Sequence, residues 1–270
     1  MKYQDIDWDR IWREGRAGKS WKKRGNSEWD KRAPSYAKRQ VGTPYADRFV
    51  EMMAPQADWI VLDVGCGPGT LALPLAPLVK KITAVDFSAE MLKELRSRCR
   101  KQGITNVETL QASWTDDWQA KNIPIHDVII ASRSMSVDDL AGSLRKLNDW
   151  AAKKVFISDR VGSGPFDPEL FKALGRDFEP GPDYIVTLNI LYRMGIHPNV
   201  DYIHFEKSKY FSSREDAVKS CHWMLDSLTP GEHLKLEAYV DERLQQNNDG
   251  MWVFTRRTPI KWAVISWEKE

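Results

Sequence analysis

Hydrophobic positions along the chain fall into two rhythms, short apolar runs and longer stretches with a helical repeat. Runs suited to buried strands lie at residues 59–62, 82–85, 106–114 with its loop, 125–131 and 155–158. Between the first three of them, residues 70–79 and 89–102 carry apolar side chains at helical spacing, with Ser88 placed as the N-cap of the second. Strands alternating with helices predict a parallel sheet whose strand tips share one ligand-binding edge. After residue 159 the pattern changes. Residues 160–200 are dense in glycine and proline, with helical patches at 169–174 and 184–194. Residues 202–211 alternate like a strand, and 251–256 and 260–267 read as closing strands. Residues 212–215 and 229–232 both have the form of capping boxes that open helices, the second with proline at its first position.

The punctuation after the first strand is chemically informative. Val61-Leu62-Asp63-Val64-Gly65-Cys66-Gly67-Pro68-Gly69 ends a buried strand in three glycines at alternate positions, with Pro68 near the first turn of the next helix. A strand–glycine turn–helix exposes amides to a polar or anionic ligand group and lets it approach the backbone. The Gly-Lys-Ser/Thr ending of a phosphate-binding loop is absent, and Thr70 stands where the dinucleotide fingerprint has its last glycine. Asp63, two residues before the first glycine, would repel a pyrophosphate and suits a ligand with a cationic amino group. At the tip of the second strand, Asp86 is placed to take two ribose hydroxyls in a bidentate hydrogen bond.

Asp63-x-Gly65-x-Gly67-x-Gly69, followed at the expected spacing by Asp86-Phe87-Ser88, resembles the class I S-adenosylmethionine-dependent methyltransferases, of the small-molecule type. The resemblance covers residues 59–159, about 100 of 270. It implies an α/β, doubly wound, seven-stranded and mostly parallel sheet (Rossmann-like, strand order 3-2-1-4-5-7-6), with an N-terminal helical lid and a cap insertion after strand 5. The expected divisions are a lid at 1–45, a cofactor-binding core at 46–160, a substrate-cap insertion at 161–250 and closing strands at 251–270. S-adenosyl-L-methionine is the implied cofactor. Its expected contacts are Tyr36, Asp63, Gly65, Cys66, Gly67, Gly69, Asp86, Phe87, Ser113, Trp114 and Ser132. Phe87 follows the ribose acid, where the family packs adenine. Ser113 stands where many members have an adenine-binding aspartate, so this chain departs from the pattern there.

The flanks suggest where an acceptor would lie. Residues 1–40 hold Trp8, Trp12, Trp21 and Trp29, with short helices expected at 7–14 and 28–39. Trp29-Asp30-Lys31-Arg32-Ala33-Pro34-Ser35-Tyr36 resembles the segment that forms a lid over the methionine end of the cofactor in small-molecule members. Tryptophans anchoring an extension while lysines face water is the alternative. Tyr184, His197 and Arg133 are the candidate catalytic residues, the first two as bases and Arg133 as an anion clamp. The fourth strand's tip is Ser132-Arg133-Ser134 rather than the Asn/Asp-Pro-Pro-Tyr of exocyclic-amine methylation.

Composition narrows the classes. No apolar run reaches the eighteen residues a membrane span needs, and Met1 to Asp7 lack a signal-peptide core. Cys66, Cys99 and Cys221 show neither paired nor metal-ligand spacing, which suits reduced thiols and a cytoplasmic protein without a metal. The expected function is methyl transfer to a small-molecule acceptor. Eleven Lys/Arg against three acids between Arg10 and Arg39 keep an RNA-modifying enzyme as an alternative. Net charge of only +2 and no RNA-binding module disfavour nucleic acid. A protein of the same fold that binds the cofactor without transferring methyl is the third reading.

Overall fold

The computed structural model describes residues 2–17, 29–31, 33, 36, 44–225 and 227–269. The expected helix at 28–39, Trp21 and most of the basic strip lie wholly or partly outside them. Two compact units are present: Met1–Asp159 with Pro182–Ile203 and Ala263–Glu270, and Arg160–Gly181 with His204–Trp262. Residues 182–203 thus belong with the first unit, although they fall within the span read as an insertion.

Seven strands form the first sheet: β1 (Ile60–Val64), β2 (Lys81–Asp86), β3 (Val107–Gln111), β4 (His126–Ser132), β5 (Ala151–Arg160), β6 (Asn199–His204) and β10 (Lys261–Glu268). Their order is β3-β2-β1-β4-β5-β10-β6, the expected 3-2-1-4-5-7-6 once β10 is counted as the seventh core strand. β1 pairs in parallel with β2 (Val61 opposite Ile82) and β4 (Val61 opposite Val128), and β2–β3 and β4–β5 are parallel too. The bonds Lys269 N–Lys153 O and Val161 N–Lys261 O run in opposite chain directions, so β10 is antiparallel to β5. Val61, Leu62, Ile82, Ala84 and Ile129 are completely buried, as strands covered on both faces must be.

Helices supply the covering layers. α1 (Trp8–Arg16) opens on Asp7, whose carboxylate accepts from Arg10 N. α2 (Pro44–Met53) buries Tyr45, Phe49 and Met53. After the glycine turn, α3 is one turn only (Ala72–Leu75), tightening into a 3-10 turn at Ala76–Leu78. A longer helix was expected at 70–79. Pro74 and Pro77 fall inside it, and the donors they remove limit the α-helical ladder, while Pro68 lies in the turn before α3 rather than within it. α4 (Ala89–Gln102) matches its expected bounds, with Ser88 capping Met91 N and Gly103 left-handed after its end. α5 (Leu140–Trp150) lies between β4 and β5.

The second unit has its own core. α6 (Pro168–Leu174), α8 (Arg214–Lys219) and α9 (Pro230–Asp241) accompany a small antiparallel sheet, β7 (Ser208–Phe211), β9 (Trp252–Thr255) and β8 (Leu244–Gln246), in the order β7-β9-β8. Leu170, Leu174, Leu236, Val240 and Phe254 cluster at its centre. Thr229 and Glu232 complete a capping box as read, whereas α8 is capped by Ser213 accepting from Asp216 N, one residue later than expected. The expected strand at 202–211 is two strands in two sheets, because alternation specifies a half-buried face and not the sheet that provides it.

Candidate active site

The tips of β1, β2 and β4 are joined by the glycine turn. Gly65 and Gly67 adopt left-handed backbone (φ 72° and 53°), which strains a residue with a Cβ. The amides of Gly65 and Cys66 donate to Val85 O at 2.8 and 3.0 Å, which ties the turn to β2. A Cβ on Gly65 would lie 2.4 Å from the Ser134 Cβ, and one on Gly69 2.5 Å from the Leu95 Cδ1. On Gly67 the nearest atom would be Tyr36 Cε1 at 3.9 Å. Gly65 and Gly69 are therefore packing contacts, while Gly67 borders open space beside Tyr36.

Asp86 organises this turn as well as facing the cavity. Its two carboxylate oxygens accept from Gly67 N (2.8 Å) and Ser88 N (2.9 Å). Burial raises its pKa, and those two amide bonds oppose the rise. Ser88 Oγ also donates to Asp30 at 2.5 Å, which brings the N-terminal segment to the tip of β2. Asp63 is 2% exposed and, among the described residues, one of its oxygens, Oδ2, has no hydrogen-bond partner. Burial, reinforced by the Asp86 carboxylate and opposed by the backbone at Ala72, raises the Asp63 carboxyl to about 8.

A cavity of about 210 Å³ stands over these tips. Tyr36, Gly65, Gly67, Asp86, Phe87, Trp114, Ser132 and Arg133 line it, all expected from sequence. A second hollow of about 30 Å³ shares Tyr36, Gly65 and Arg133 with it and reaches Asp63 and Cys66, whose thiol burial pushes up. Arg16, Met91, Ser134 and Ser136 also line the larger cavity, and Trp29 stands there edge-on to Tyr36. Arg16 carried no local signal, because its place depends on α1 docking far along the chain: Trp12 Nε1 donates to Val137 O at 2.7 Å and Arg16 to Ser136 Oγ at 3.1 Å.

Other expected residues lie elsewhere. Ser113 orders its own loop, its amide bonded to Asp116 and its carbonyl to Trp118 Nε1 (2.9 and 3.0 Å), and it does not line the cavity. Gly69 packs on α4. Tyr184 and His197 are not brought to the cavity either. Helix α7 (Tyr184–Arg193) contacts α1 and α5 and buries Val186, Thr187, Ile190 and Leu191. Tyr184 is left to bond Tyr202 OH at 2.9 Å, and His197 to stand exposed against the Tyr192 ring. The hydrogen bond to Tyr202 and partial burial push the Tyr184 hydroxyl up to about 12, the wrong direction for a base. Among the described residues no cluster could hold a metal ion, and no helix is long and apolar enough to cross a membrane.

Sheet order and glycine turn together define a doubly wound, Rossmann-like α/β fold, and residues 61–153 match the family model of a methyltransferase domain. Residues 61–153 are thus a methyltransferase domain of the class I S-adenosylmethionine-dependent kind, enzymes that use S-adenosylmethionine. It is 37% identical over 243 residues to an uncharacterised protein of Haemophilus influenzae, covering 89% of this chain and 88% of that one. An aklanonic acid methyltransferase of a Streptomyces species is 27% identical over 167 residues, covering 57% of this chain and 74% of that one. Among solved structures, coclaurine N-methyltransferase bound to N-methylheliamine and S-adenosylhomocysteine shares the fold with a TM-score of 0.50 and 17% identity, covering 100% of this chain and 95% of that one.

Proposed function

We propose that the cavity over β1, β2 and β4 holds S-adenosylmethionine beside a small-molecule acceptor that receives its methyl group. The observation that carries this reading is the cavity wall itself, built jointly from the strand tips and from Arg16, Trp29 and Tyr36 of the N-terminal segment. A walled space of this kind fits a small acceptor better than a polynucleotide, and the similarity to an aklanonic acid methyltransferase supports it.

The residues present fit the cofactor. Asp63 offers a buried carboxylate oxygen without a partner, which a cationic amino group would satisfy. Each Asp86 oxygen has a second lone pair for a ribose hydroxyl beyond the amide bond it already accepts. Phe87 and Trp114 present rings for adenine, and Gly67 lets the methionine end approach the backbone. When bound, S-adenosylmethionine supplies an already activated methyl. The protein's own work is then to hold a nucleophile in line and to exclude water.

The test is release of S-adenosylhomocysteine from S-adenosylmethionine across a panel of small acceptors, with bulk transfer RNA and ribosomal RNA in parallel. Turnover with a small acceptor and none with RNA is expected. Turnover only with RNA would overturn the proposal, and cofactor binding without turnover on any acceptor would point to a protein that does not transfer methyl.

A further inference from the structure

Three hydroxyls meet beside the cavity, at the tips of β4 and β5. Residues 128–131 and 155–157 are apolar and buried, and both strands then turn polar at one level, where Ser132 stands opposite Ser158. Tyr45, the second residue of α2, reaches this pair. Its OH is 2.6 Å from Ser132 Oγ and 2.6 Å from Ser158 Oγ. Ser158 is completely buried, and its Oγ also accepts the amide of Arg133 at 3.0 Å. Burial raises the Tyr45 pKa, so the phenol keeps its proton and these hydroxyls stay neutral.

Packing alone does not call for this arrangement. The Tyr45 ring lies 6.0 Å from the Phe49 ring, and a phenylalanine at 45 would keep that contact without a buried hydroxyl to satisfy. Ser132 and Ser158 likewise end two apolar runs rather than extend them. Ser132 differs from its two partners in being only half-buried. It lines both the 210 Å³ cavity and the 30 Å³ hollow that reaches Asp63.

A serine hydroxyl has one proton and two lone pairs. At Ser132 the bond to Tyr45 takes one of these, and the longer contact with Ser158, at 3.5 Å, takes a second. The third is left for a ligand. A side chain already held in one rotamer also loses less freedom when a ligand binds it. Resting on the cofactor assignment proposed above, we infer that Tyr45 is a positioning residue for cofactor binding: it holds Ser132 Oγ where that hydroxyl meets the amino-acid end of S-adenosylmethionine. Asp63 stands on the same small hollow, so the buried carboxylate and the held hydroxyl bracket that end of the ligand together.

The test uses the full chain, with S-adenosylhomocysteine and methylthioadenosine as probes, the second lacking the amino-acid end. Tyr45→Phe deletes one oxygen and keeps the ring. In titration calorimetry it should weaken S-adenosylhomocysteine binding by about threefold to tenfold and leave methylthioadenosine unchanged. Ser132→Ala should do the same. Because Tyr45 acts through Ser132, the double variant should bind no more weakly than Ser132→Ala alone. Losses that add in the double variant, a loss shared equally by methylthioadenosine, or unchanged affinity in Tyr45→Phe would overturn the inference. Ser132→Ala guards against a folding defect in Tyr45→Phe, since unchanged affinity for S-adenosylhomocysteine in that variant would overturn the inference by itself. Failure of the wild-type chain to bind S-adenosylhomocysteine would overturn the cofactor assignment instead, and the inference with it.

Discussion

At Asp63, the carboxyl pKa of about 8 in the fold compares with 3.8 for an ordinary aspartate. Because the folded state holds the proton more tightly, the stability this group contributes is complete below about pH 3.8 and is lost as pH rises through 8. The melting temperature of the ligand-free protein should therefore fall more steeply between these limits than that of Asp63→Asn. A cationic amino group beside Asp63 favours the carboxylate, so cofactor binding should expel a proton below pH 8. Affinity for S-adenosylhomocysteine should rise with pH and level off near 8, and calorimetry in buffers of different protonation enthalpy would detect the proton. Asp86→Ala removes a ribose acceptor and two amide anchors together. Its affinity should fall by about 2–3 kcal/mol, roughly 30- to 160-fold, and unchanged calorimetric affinity would remove the ribose from this residue. Asp86 and Phe87 were legible because their motif is local and strand-anchored. Arg16 was not, since nothing near it in sequence indicates Ser136 as its partner.

The glycine turn separates two kinds of constraint that a sequence motif merges. Gly65→Ala meets both an unfavourable φ and the Ser134 side chain at 2.4 Å, so it should destabilise the fold and weaken cofactor binding together. Gly67→Ala meets only the φ penalty, on the order of 1 kcal/mol, but places a methyl group where the cofactor would approach. It should melt close to wild type while losing affinity for S-adenosylhomocysteine; thermal shift and calorimetry on both variants would separate the effects. In the second unit, Thr229→Ala breaks the capping box of α9 and should cost about 1 kcal/mol in denaturant unfolding. The bounds of α4 could be read because Ser88 and Gly103 mark its two ends chemically. β6 and β7 could not be separated, because the residues between them lack a strong turn signal and both strands alternate.

For the molecule as a whole, the two cores define where a ligand should be felt. S-adenosylhomocysteine should slow amide exchange at the tips of β1, β2 and β4 and in α1, while leaving Leu236, Val240 and Phe254 in the second core unchanged. Equal exchange in α1 with and without ligand would argue against the N-terminal segment as a lid. The sheet order was legible from the sequence through the family resemblance, since alternating strand and helix restricts the topology strongly. The membership of residues 182–203 was not, because Val186, Thr187, Ile190 and Leu191 show a buried face without naming the core that buries it.

The way the chain interleaves the two units also bears on its synthesis. β6 neighbours only β10 in the sheet, and β5 has β10 as its second neighbour. β10 begins at Lys261, after nearly all of the second unit has been made. As the ribosome extends the chain, the first sheet thus waits with one flank of β5 uncovered until β10 emerges, whereas the second core can close before it. Nascent chains stalled before residue 260 should present that bare strand to chaperones, and release of the eight residues of β10 should end the exposure.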